Sequence, residues 1–147
     1  SEFVNAAGWL LTRKCIETVG LFEPLFPLYG EDQNYTQRLR FHGLFLGIIP
    51  AARMVHDRAE RQGGKNSAGR ALEASTFVLT RLLNINNSML VNIFNSLKVF
   101  RRYGINRRSL RGFLSGLTHS IGYTRLRDAY RCPGYLLKPD RPQKILK

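Results

Sequence analysis

The stretch PLYGEDQNYTQRLRFHG, residues 27–43, decides how this chain is read. Pro27 and Gly30 break any helix before Glu31, and from Glu31 to His42 a helical period is clear, with Tyr35 and Leu39 four residues apart. Gly43 supplies the left-handed stop. Two adjacent carboxylates, Glu31 and Asp32, therefore stand at the mouth of a helix. Acids there complement the helix dipole and cap free N–H groups, a purely structural role. Asp32 also shares the i, i+4, i+7 register of Thr36 and Leu39, which aims it inward or into a cleft as a candidate general base.

Working outward, GLFEPLFPLYGE (residues 20–31) is an irregular loop whose apolar residues imply that it is packed down. Before it, RKCIETV reads as a short helix ended by Gly20, and FVNAAGWLLT as a loop leading into a short buried strand. After the central helix, LFLGIIP and ARMVHD read as two short strands separated by Pro50 and Ala51. RAERQGGKNSAGR carries three glycines and no period, and marks a flexible boundary.

Charge divides at the same place. Residues 1–60 hold six Lys and Arg against seven Asp and Glu, whereas residues 61–147 hold seventeen against three, within a total of +13. A polybasic half implies an anionic partner, nucleic acid or an acidic membrane face. From Ala74 to Arg101, Val78, Leu82, Ile85, Met89, Ile93, Leu97 and Phe100 recur every three or four residues, as on one helix about 42 Å long. The opposite stripe is Thr76, Thr80, Asn84, Asn87, Asn95 and Lys98. The uncharged run from Leu82 to Leu97 is too polar and too short for a membrane span. Residues 106–127 are amphipathic with a basic flank and fit an interfacial helix or one packed on the first half. Cys15 and Cys132 lack CxxC spacing, so neither a disulfide framework nor a zinc site is expected, and a reducing cytosolic setting is the default.

Residues 3–58 resemble the acceptor half of a family 2 glycosyltransferase: the packed loop, the acidic pair, Arg38, Gly43, Pro50 and His56 fall at that family's spacing. The resemblance implies an α/β architecture, the C-terminal part of a GT-A nucleotide-sugar fold followed by an α-helical extension. Residues 1–60 would form the acceptor-side portion, 61–72 a linker and 73–147 a basic amphipathic helical region. It implies an inverting transfer from a nucleotide-sugar donor to a saccharide or lipid-linked acceptor, with a divalent metal (Mn or Mg). Asp32 would be the base and Glu31 its helper. His56 would serve the metal or diphosphate. Arg38 would steady Glu31 or reach the donor phosphates, and Trp9 would stack on a sugar ring or belong to the core. Asn34 stands where the family has a third acid, and FEP at Phe22–Pro24 where it has FDE. The nucleotide-binding strands and the DxD-like acids are not in these residues, so the chain is expected to be the C-terminal portion of a longer enzyme and inactive alone. The expected location is the cytoplasmic face of a membrane with anionic lipid. A nucleic-acid-binding module explains the charge but not the pattern from Glu31 to His56, and a noncatalytic interaction domain is the third reading.

Overall fold

The structure is a computed structural model, and it describes residues 6–26, 29–55, 67–103 and 124–137. A 3-10 turn at Ala6–Gly8 leads to α1 (Arg13–Val19), then α2 (Glu31–Phe41), α3 (Ser67–Leu82) and α4 (Met89–Tyr103). Residues 124–130 are helical as well, and a 3-10 turn, Tyr135–Leu137, follows. α1 begins where the Thr12 hydroxyl accepts from Cys15 N–H and ends at Gly20, whose φ of 85° suits glycine. α2 ends at Phe41 with His42 as its C-cap, and Gly43 at φ 68° lies beyond it.

The expected α/β fold is overturned: among the described residues there is helix and no strand. Residues 44–49 and 52–55 do run without helix, joined by a turn that Ala52 N–H closes onto Ile49 O at 3.0 Å. A strand, however, is defined by a ladder to a neighbour, and these segments have none among the described residues. Half-buried Leu44 packs on the cluster around Cys15, but the side chains beyond it face outward, with Phe45 95% and Val55 92% exposed. The stretch expected as a buried strand near the start is likewise irregular at residues 9–12, and Leu10 is exposed.

The single long helix expected from Ala74 to Arg101 is two helices. Residues 83–88 turn the chain so that α3 and α4 pack side by side. Asparagine favours this break because its amide competes for the backbone: Asn84 Oδ1 accepts from Asn86 N–H at 3.0 Å, and Asn92 Nδ2 donates to Leu82 O and Asn84 O at 3.2 and 2.7 Å. α3 starts at Ser67, inside the stretch read as a linker. Most of residues 106–127 lies outside the described residues. No helix among the described residues is long and apolar enough to cross a membrane.

Two apolar clusters flank α2. Cys15, Val19, Tyr35 and Leu39 form one, and Phe26, Leu83, Ile85, Leu126 and Tyr130 the other. Between them α2 is unusually polar for a buried helix, and Arg38, 1% exposed, is what makes that possible. Its Nη1 and Nη2 donate to Val19 O and Leu21 O at 2.8 and 2.9 Å, and its Nε donates to Asn34 Oδ1 at 3.0 Å. The guanidinium also sits 4.9 Å from the Tyr35 ring centre and 5.3 Å from that of Tyr130. Tyr35 OH donates to Gly20 O at 2.9 Å. Burial above all, reinforced by the Cys15 thiol beside it, pushes its phenol well above the ordinary range, so it remains a neutral donor.

Arg38→Lys keeps the charge but loses the planar fork that reaches two carbonyls at once. It should lower unfolding free energy by about 2–4 kcal/mol, since buried carbonyls are left without donors. Urea denaturation should show a lower midpoint than for Arg131→Lys, a change at an exposed site.

Candidate functional site

The acid turn is built around a backbone rarity. Tyr29 has φ 66°, a left-handed conformation uncommon outside glycine, and Gly30 follows at φ 81°. Gly30 is pressed against α3: a Cβ there would lie 2.5 Å from Thr80 Oγ1 and 2.9 Å from Thr76 Cγ2. Thr76 and Thr80, read from sequence on the stripe opposite the apolar one, are thus buried under the turn. The loop before it is tied down by Glu23, whose Oε1 accepts from Leu25 N–H at 3.1 Å and whose Oε2 accepts from Tyr130 OH at 2.9 Å.

α2 then offers three surfaces. Glu31, Tyr35 and Arg38 point toward α1 and its loop. Gln33, Thr36, Gln37 and Arg40 point the opposite way, and Asp32 occupies the flank between. Asp32 is about nine-tenths buried; its Oδ1 accepts from Gln33 N–H at 2.7 Å, and its Oδ2 makes no hydrogen bond among the described residues. Glu31 Oε2 is buried without a hydrogen-bond partner. An acid pair with one free oxygen on each carboxylate can take a proton or hold a hydroxyl.

The other expected residues are placed elsewhere. Trp9 packs with Phe22 and Tyr35, ring centres 5.9 and 5.8 Å away, next to the cluster around Cys15. Arg38 is committed to main-chain oxygens rather than Glu31. His56 lies outside the described residues. Among those residues no three His, Cys, Asp or Glu side chains gather to hold a metal.

Sequence reasoning missed a polar cleft of about 750 Å³ between α2 and the α3–α4 pair. Gln33, Thr36, Gln37 and Arg40 form one wall; Arg81, Asn84, Asn86, Asn87, Asn95 and Lys98 form the other. Neither Glu31 nor Asp32 is among its lining residues. Its far wall is fixed by buried Arg127, which donates to Asn84 O and Asn87 O at 3.2 and 2.6 Å. Burial, aided by Arg131 nearby, pulls the Arg127 pKa below its ordinary value. Asn86 Nδ2 joins the walls by donating to Gln37 O at 2.8 Å. The available signal was two polar stripes bearing cations and no acids, one on each partner.

Comparison of the chain with protein-family models, curated proteins and solved structures gave no match.

Gly30→Ala should cost about 1–3 kcal/mol, because a left-handed alanine is strained and its methyl meets α3. The melting temperature should fall, and amide exchange in the first turn of α2 should speed up.

Proposed function

We propose that this chain carries the acceptor-side part of an inverting glycosyltransferase, with Asp32 as the general base. The observation that carries this reading is the acid turn: a left-handed Tyr29–Gly30 pair presents two carboxylates on a helix that buried Arg38 anchors. Strained backbone at a clustered acid site is a recurrent feature of catalytic centres. The spacing of residues 3–58 supports the same class. The reading concerns the chemistry of the acid turn, without the α/β fold that the described residues lack.

In the proposed step the acceptor hydroxyl oxygen bonds to the anomeric carbon of a nucleotide-sugar while the bond to the departing diphosphate breaks on the opposite face. The hydroxyl proton passes to Asp32 Oδ2, and Glu31 holds the acceptor or the turn. The acceptor is a saccharide or a lipid-linked sugar. The divalent metal rests on the resemblance alone, and no part of this step passes through it.

The same proposal places the protein at the cytoplasmic face of an anionic membrane rather than on nucleic acid. Leu90, Val91, Phe94 and Leu97 form an exposed apolar stripe on α4, Leu90 at 70% and Phe94 at 66%, and exposed Arg101 follows in register. A nucleic-acid surface requires the charge but not the stripe.

In the protein that contains this chain, Asp32→Asn should lower kcat by about 10²–10⁴-fold with little change in donor KM. Wild-type turnover in steady-state assays would refute the assignment. Leu90→Ser with Phe94→Ser should weaken co-sedimentation with anionic vesicles by roughly tenfold or more while leaving the net charge intact; unchanged vesicle binding would remove the membrane part.

A further inference from the structure

The cleft between α2 and the α3–α4 pair has a chemistry that the acid turn does not explain. Its lining is wholly polar, with six carboxamides, one hydroxyl and three cations, and no carboxylate. Arg40, Arg81 and Lys98 pair with no acid among the described residues. Three cations facing one space without a counter-charge call for an anion with several oxygens, as a phosphate has.

A bare anion does not complete the site. Gln37 is about nine-tenths buried and lines the cleft, yet its Oε1 accepts no hydrogen bond. A buried acceptor of that kind needs a donor; a doubly ionised inorganic phosphate keeps a single P–O–H and an ionised phosphate ester has none, whereas a sugar presents several hydroxyls. Asn84 adds a donor that suits either phosphate or sugar oxygens. Its Oδ1 is taken by Asn86, which leaves its NH₂ group as the donor it can offer to ligand oxygens. No aromatic or aliphatic side chain lines the space, which leaves a nucleobase or an acyl chain nothing to pack against. The volume suits a small polar molecule.

We infer that this cleft binds a phosphorylated saccharide, with its cations on the phosphate and its carboxamides, Gln37 foremost, on the sugar hydroxyls. The far wall is preset for this by Arg127 and Asn92, which hold the 82–87 main chain from behind. The assignment names a ligand that sugar transfer would use, but it stands on the cleft. Binding is read without turnover, so a failed titration leaves the Asp32 proposal intact, and an active Asp32→Asn protein leaves the cleft intact.

The test is calorimetric titration of the whole chain with glucose 1-phosphate, glucose, inorganic phosphate and a single-stranded RNA oligonucleotide. Glucose 1-phosphate should bind at one site, with glucose and phosphate each about tenfold weaker or worse. Gln37→Leu should weaken glucose 1-phosphate by about tenfold and leave phosphate nearly unchanged, whereas Arg40→Gln with Lys98→Gln should weaken both. Arg40 and Lys98 are exposed, so that pair tests the cleft even if Gln37→Leu fails to fold. The inference fails if glucose 1-phosphate binds no better than phosphate, or if the exposed pair leaves its binding unchanged. It also fails if RNA binds more tightly and loses that binding in the same variants, which would make the cleft a nucleic-acid site.

Discussion

A single buried guanidinium sets the conditions for everything around it. Desolvating a cation is costly unless every donor is used, and Arg38 spends its donors on the two carbonyls left open where α1 ends and on Asn34 of its own helix. That arrangement converts two liabilities, a charged side chain without water and carbonyls without donors, into one closed network. It is also why α2 can be largely polar and still lie inside. The loop from Gly20 to Phe26 follows the guanidinium, and the acid turn follows the loop.

How much of this was legible depended on how far apart the determining residues lie. α1 and α2 were readable because Gly20, Gly30 and Gly43 mark their ends locally. The acidic pair and the packed loop were readable for the same reason. The two strands were not, because a strand depends on a neighbour that the stretch itself does not encode; β-prone residues such as Ile48 and Ile49 describe a preference, not a ladder. The α3–α4 turn was misread because the apolar period continues through it: Ile85 keeps the register while pointing into the cluster around Phe26. Only the asparagines betray the break, and they act through bonds to main-chain atoms that periodicity does not register.

The cleft was hidden for a related reason. Gln33 and Asn95 are ordinary surface residues in one dimension, and they become a site only when two helices that are distant in sequence face each other. The charge asymmetry pointed to an anionic partner without locating it. Arg81 and Lys98 come from the strongly basic half, but Arg40 comes from the half that is nearly neutral overall. Bulk charge and the local field of the cleft are therefore different quantities, and the second is set by the absence of acids in the lining.

The bond from Tyr130 to Glu23 joins residues 107 positions apart, and Arg38 stacks on the same tyrosine ring. On the ribosome the chain emerges N-terminal end first, so the acid turn is made about a hundred residues before its fastening to Tyr130. Until Tyr130 clears the exit tunnel, Glu23 has no phenol to accept from and one side of the Arg38 guanidinium lacks its ring. Helices α1 and α2 can form in that interval, but the fastening of the loop before Glu31 and Asp32 is completed only once Tyr130 is available.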